Sequence, residues 1–500
     1  MGGAGMQALG GDLFIRNVSY LVTCDDRDRV FKNVSVLIRN GVISRIFEND
    51  SSQVQQEAGT YSPDRPGGGE YSPARPGPVN DFPDRPGAGD LSGIPTVDAS
   101  GCVLYPGLVN THHHFYQIFS RNLPEVQNLE LFLWLKALYQ IWKNLDADVV
   151  YYSSLCGMGE LLKSGCTTSS DHHYVFPAGC GLDLIDAQFA AADRLGMRFN
   201  ATRGSMDLSE KDGGLPPDSV VQTVDEILKD SEEAVRKYHD PAPYAMHRVS
   251  LAPCSPFSVS RELLVESAKL ARALGVRLHT HLAETKDEER YMLEKEGIRP
   301  LAYMEQVGWI GDDVWYAHGI HFNDDELALL AQTGTGVAHC PISNMKLSSG
   351  IARIPEMLKT GVPVGLAVDG SASNDGSNML EEMRAAYLLH RLNSSSAAPS
   401  GYDILKMATR GSARLLGRHD IGQVAEGCAA DFFLISLRRP ELVGACFDPA
   451  SMLATVGFKG AVDLTVVNGK IVVRDGRLVG TDEQEAADRA DAVCRKYLGR

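Results

Sequence analysis

Long apolar runs are absent from this 500-residue sequence. Without a stretch of about 18 apolar residues, no membrane-spanning helix is expected. The opening "MGGAGMQALGGD" has no basic region and no apolar core, so no signal peptide is expected. Met at position 6 argues against myristoylation. Paired cysteines are also missing. The ten cysteines are scattered with no C-x-x-C spacing, which predicts reduced thiols in a cytoplasmic protein and not a disulfide framework. Positive charge is in deficit: a formal net charge of −16 makes nucleic-acid polymers and anionic membranes poor partners. What is present, 44% hydrophobic and 22% charged residues, is ordinary globular composition. The length suits one large domain plus a smaller one.

Residues 12–50 alternate apolar and polar residues, and Asn40-Gly41 between two such runs signals a hairpin. A period-ten repeat follows from Tyr61 to Asp90: "YSPDRPGGGE", "YSPARPGPVN", "DFPDRPGAGD". Its Pro and Gly content cannot build a core, so it reads as a disordered insertion, with a docking tract as the alternative. From Cys102 to about Asn374, eight strand candidates alternate with helical patterns. They run from "VLYPGLVNTHHH" to "PVGLAVDGSASN". One helix begins after Ser260 and stops at Gly275; another opens with the capping-box pair Asn323 and Glu326 and ends before Gly334. This order predicts an α/β protein with a (β/α)8 TIM-like barrel, and a doubly wound sheet competes. "GQVAEGCAADFFLIS" and "DLTVVNGKIVVRDGRLVG" read as strands, with turns at Asn468-Gly469 and Asp475-Gly476. The expected organisation is a small β-sandwich from 1–50, 91–105 and 416–480, an insertion at 51–90, a barrel at 106–415 and a helix at 481–500.

Ten of the 14 histidines fall near predicted strand ends, the catalytic face of such a barrel. In "PGLVNTHHHFYQ", period two puts His112 and His114 on one face and His113 on the other. An H-x-H pair can chelate one ion, leaving His113 for packing or a supporting hydrogen bond. A catalytic zinc site commonly has about three or four protein ligands and an open position. Candidates for the rest are His281 or His279, His318 and Asp369; spacing alone does not choose.

The motifs "PGLVNTHHH", "HTHLAE", "AHGIHF", "CPISNMKL" and "GLAVDGSASND", in this order, resemble the amidohydrolase superfamily, in its cytosine/guanine-deaminase and triazine-hydrolase branch. "SGCTTSSDHHY", "ATRGSM", "GGLPPDSVV" and "LAPCSPFSVS" look most like the 8-oxoguanine deaminases of that branch. The resemblance covers roughly residues 12–50 and 95–480. It implies metal ligands His112, His114, His281 and Asp369, with Glu284, His318 and Asp369 as acid–base and hydrogen-bonding groups. One departure is Gly319, where a Cys is common after the first histidine of "AHGIH". Binuclear members carry a bridging lysine on the fourth strand; "RVSLAPCSPFS" has none, so one divalent metal is expected, Zn²⁺ or else Fe²⁺.

The implied reaction is hydrolytic deamination of an oxidised purine, 8-oxoguanine to urate, by a water that the metal activates. Hydroxyatrazine-type ethylaminohydrolase and guanine- or isocytosine-like deaminase activities are the alternatives. A catalytically inactive binding scaffold is the reading from another class. Gln117 matches the H-x-H-x-x-Q spacing of guanine deaminases, where the amide reads a purine edge. Trp134 is read as a base-stacking or helix-core residue, Arg203 as a ring-carbonyl contact or a structural ion pair, and Cys254 as a pocket or buried residue. The expected partner is a small nucleobase, and a homo-oligomer is expected.

Overall fold

The computed structural model describes residues 11–49 and 93–500, so the repeats from Tyr61 to Asp90 lie outside the described residues. Two sheets organise the chain. Nine strands form a mixed sheet from both chain ends: β1 (Leu13–Val22), β2 (Val30–Arg39), β3 (Val42–Glu48), β4 (Thr96–Asp98), β5 (Cys102–Pro106), β14 (Phe432–Ser436), β15 (Leu464–Val467), β16 (Lys470–Arg474) and β17 (Arg477–Leu478). Between β5 and β14 lie eight parallel strands: β6 (Leu108–Asn110), β7 (Cys166–Asp171), β8 (Arg198–Ser205), β9 (His247–Pro253), β10 (Leu278–Leu282), β11 (Val314–His318), β12 (Gly336–His339) and β13 (Val364–Leu366). These pair in strict sequence order. Thr111 Oγ1 donates to Leu366 O at 3.1 Å, and Val368 N to Asn110 Oδ1 at 3.0 Å, joining the first strand's end to the last. Sequential order with closure is a barrel; a doubly wound sheet would reverse its order and stay open.

Local chemistry explains the elements. Asn40-Gly41 and Asn468-Gly469 both have positive φ at each residue, as a two-residue hairpin turn demands. Ser260 caps the helix Arg261–Leu274, accepting from Leu263 N, and Gly275 ends it at φ 69°. The capping box of Asn323 and Glu326 opens the helix Asp324–Thr333.

Two runs behave differently from their sequence pattern. "VLYPGLVNTHHH" reads as one strand but divides between the two sheets at Gly107. A Cβ at Gly107 would lie 2.8 Å from Thr167 Cβ, so only glycine lets the chain cross so close to the barrel. In "GQVAEGCAADFFLIS" only Phe432–Ser436 is a strand. Gly422 and Gly427, both at positive φ, break the extended backbone before it.

The nine-stranded sheet buries one shared face: Ile15, Val36 and Ile38 from one chain end pack with Phe432, Leu434 and Val466 from the other. Among the described residues no helix is long and apolar enough to cross a membrane.

Candidate active site

The chain leaves β6 still extended in direction, so His112 and His114 fall on the same side, ring centroids 4.6 Å apart. His113 turns away. Its Nε2 hydrogen-bonds Ser377 Oγ at 2.9 Å, and its ring stacks on Phe115. Barrel closure then delivers Asp369: its backbone N–H donates to His112 O at 3.1 Å. Asp369 Oδ1 lies 3.4 Å from His112 Nε2 and 3.3 Å from His114 Nε2. His281, in β10, places Nε2 3.2 Å from His114 Nε2.

Hydrogen bonds determine which nitrogens carry protons. A carbonyl only accepts, so His114 Nδ1 donates to His172 O, and His281 Nδ1 to Cys254 O, each at 2.7 Å. His279 Nδ1 donates to Trp315 O at 2.9 Å, leaving its Nε2 to accept from His112 Nδ1 at 2.7 Å. Neutral His112, His114 and His281 therefore each present an unprotonated Nε2. His279, the alternative ligand, backs His112. Burial first, then the neighbouring histidines, hold His112 and His281 well below the ordinary histidine range, which keeps them neutral. His112 Nε2 is buried without a hydrogen-bond partner. Lone pairs facing one another at such distances repel, and a cation among them satisfies all three. Donor atoms of His112, His114, His172 and His281 lie within 4.8 Å of one another, as do those of His112, His318 and Asp369. This buried cluster fits a metal site.

Further buried titratable groups ring the cluster. Glu284, just past β10, is buried; its Oε1 accepts from Ser349 Oγ at 3.1 Å, and its Oε2 lies 3.5 Å from His318 Nε2. Burial pushes the Glu284 carboxyl upward. Burial pulls His318 down, but the Glu284 and Asp369 carboxylates outweigh it and leave it raised. Burial opposes ionisation of Asp369, yet the His112, His114 and His318 rings around it hold it well below the carboxylate range. Ser343 Oγ and Gly370 N also donate to its carboxylate, at 2.5 and 2.6 Å.

Ala283, His318 and Asp369 have φ of 54°, 72° and 63°. Each left-handed residue costs roughly 1–3 kcal/mol, a cost typical of functional sites. All three follow or end barrel strands, and the side chains of His318 and Asp369 line the cavity there.

A small cavity opens onto these groups. Gln117, Trp134 and Cys254 line it beside His114, His281, Glu284, His318 and Asp369. Arg203 does not belong to its wall. That guanidinium is buried in a structural web, 3.1 Å from Asp230 and 2.7 Å from Gln222 Oε1, and lies over the Phe176 ring. Arg203 thus makes an ion pair and is not among the residues that line the cavity. Several residues were not singled out from sequence. Tyr174 lines the cavity, Asn344 Oδ1 accepts from His318 Nδ1 at 2.9 Å, and Ser343 and Ser349 hold the two carboxylates. Ser343 and Asn344 sit in "CPISNMKL", a motif that signalled the region but not their roles.

The model of the Amidohydrolase family matches residues 103–472. The chain belongs to the amidohydrolase family. This amidohydrolase is 49% identical over 385 residues to an 8-oxoguanine deaminase of Pseudomonas aeruginosa, covering 77% of this chain and 85% of that protein. It is 46% identical over 415 residues to a hydroxydechloroatrazine ethylaminohydrolase of Pseudomonas sp. (strain ADP), covering 82% and 86%. The crystal structure of an atrazine chlorohydrolase from Arthrobacter aurescens TC1 complexed with zinc superposes with a TM-score of 0.85 at 31% identity, covering 96% of this chain and all of that one.

Proposed function

We propose that this amidohydrolase deaminates oxidised purine bases, converting 8-oxoguanine and water to urate and ammonia. His112, His114, His281 and Asp369 would hold one divalent ion, zinc in preference to ferrous iron; imidazole and carboxylate donors suit both. No lysine occurs in β9, the fourth barrel strand, which supports a single ion. Bound there, such an ion supplies Lewis acidity that brings the pKa of water down to about 7.

The chain's own residues carry the protons. Asp369, kept ionised, accepts a proton from the attacking water. His318 Nε2 donates a hydrogen bond to the oxyanion as charge develops on it. Glu284, whose burial favours the protonated carboxyl, delivers a proton to the ring nitrogen. Water oxygen bonds to C2 as Asp369 takes its first proton; Asp369 hands that proton to the amine, the C2–N bond breaks and ammonia leaves, and the remaining O–H returns its proton to Glu284 as the carbonyl forms.

Gln117 gives the purine its main support. Its Oε1 is buried at the cavity with no hydrogen-bond partner in the chain, and such an acceptor calls for an N–H edge. An oxidised purine offers several. A second reading, removal of an alkylamine from a hydroxytriazine, draws on the apolar side of the same cavity, where Leu131, Leu135, Phe257 and Leu347 would suit alkyl groups. Assaying metal-replete protein side by side on 8-oxoguanine, isocytosine, guanine and hydroxyatrazine separates them. The highest kcat/KM should fall on 8-oxoguanine, with urate formed; ethylamine release as the faster reaction would overturn the purine reading. An inactive scaffold need not hold stoichiometric metal, so metal analysis of the same sample tests that third case.

A further inference from the structure

Gly370 follows the strained Asp369, and its conformation is the opposite of what its residue type suggests. Asp369 occupies the left-handed region at φ 63°, where glycine is favoured. Gly370 sits at φ −73°, ψ 143°, extended backbone open to any residue. Backbone freedom therefore does not explain this glycine. Space does. A Cβ there would overlap Gln117 Oε1, lie 2.5 Å from Gln117 Cδ and come within 3.0 Å of His114 Cδ2. The Gln117 carboxamide is seated in the place a side chain at position 370 would take. Gly370 N meanwhile donates to Asp369 Oδ1, so the same peptide holds the carboxylate and clears room for the amide.

We propose that Gly370 is a positioning residue for substrate specificity: by lacking a side chain, it lets Gln117 bring its amide against the His114–Asp369 corner of the cavity. The atom in the way is the far end of a flexible side chain. A methyl group at 370 would thus swing Gln117 out of its seat without breaking the backbone. This rests on the proposed contact of Gln117 with the substrate ring.

The test compares Gly370→Ala, Gln117→Ala and the double variant, each checked for metal content, on 8-oxoguanine. A crystal structure of metal-replete Gly370→Ala should show the Gln117 amide displaced. Its KM should rise roughly 10- to 100-fold, the scale of one unpaired buried hydrogen-bonding group, while kcat falls far less. Adding Gly370→Ala to Gln117→Ala should change KM by less than about twofold, because the colliding group is already gone. Equal cost of Gly370→Ala in both backgrounds, loss of metal, or an unmoved Gln117 in the crystal would each overturn the inference. Failure of the underlying reading looks different: Gln117→Ala alone would leave KM unchanged, while the crystal structure still reports whether position 370 seats the amide.

Discussion

Glu284 Oε2 and His318 Nε2 stand 3.5 Å apart, both buried, at the ends of adjacent barrel strands. The two pull in opposite directions: the Glu284 carboxylate raises His318, whereas His318 lowers Glu284 against the effect of burial. Burial favours the neutral carboxyl, and the carboxylate in turn favours the protonated imidazole. In the proposed reaction this pair would move protons between water and a ring nitrogen.

Replacing Glu284 by Gln should keep metal and fold and slow the chemical step roughly 10²–10⁴-fold. The substitution also removes a negative charge that raises His318, so a rate limb governed by His318 should move to lower pH. Single-turnover urate formation across pH, with metal measured on the same sample, checks both. A metal-replete variant within about threefold of the parent would leave Glu284 without its proton-transfer role.

His112→Ala, His114→Ala, His281→Ala and Asp369→Ala should each lose metal, activity or both. His113→Ala should keep its metal, because its ring lies against Phe115 and Ser377 on the far side of the strand end. It should instead lose thermal stability, on the order of 1–3 kcal/mol for a buried, hydrogen-bonded ring. Elemental analysis decides; a metal-free His113 variant beside a metal-replete His112 variant reverses the assignment.

Arg203→Lys should leave KM for 8-oxoguanine within about twofold, since the contact it loses is not in the cavity wall. Lysine cannot reproduce a fork that reaches Asp230, Gln222 and Gly204 O together. The melting temperature should therefore drop. A large rise in KM at unchanged stability would return Arg203 to the substrate.

Acid should destabilise the fold through His173. Burial pulls this ring down to about 3, against an ordinary value of 6.5. Below pH 6.5 the unfolded chain takes up a proton that the folded one refuses. Its stabilising contribution is therefore complete above pH 6.5 and is lost as pH falls towards 3. His173→Phe should reduce the slope of stability against pH in that window by up to about 1.4 kcal/mol per pH unit. Denaturant melts at several pH values measure it; an unchanged slope would show that the folded ring protonates freely.

Local signals carried much of this architecture. Period two separates His113 from His112 and His114 even though these residues lie just beyond a strand, and the ring contacts preserve the alternation. Caps at Ser260 and Asn323 and turns at Asn40-Gly41 and Asn468-Gly469 are local, and local sequence states them. The division of "VLYPGLVNTHHH" at Gly107 depends on Thr167, a contact made only when the barrel forms. Similarly, His279 was equal to His281 by spacing. What distinguishes the two is a hydrogen bond between His279 and His112, which arrives from another strand. Arg203 carried the right chemistry for a carbonyl, but Asp230 lies on a helix whose approach no pattern around residue 203 reveals.

Ribosomal synthesis gives the position of β5 a further meaning. This strand pairs with β1 on one side and β14 on the other, and the whole barrel is translated between them. A nascent chain therefore carries β5 with one open edge until Phe432–Ser436 emerges. Open strand edges invite pairing with other chains. A message that stops short of Phe432 would encode every group of the site and still release a chain prone to stick to its neighbours.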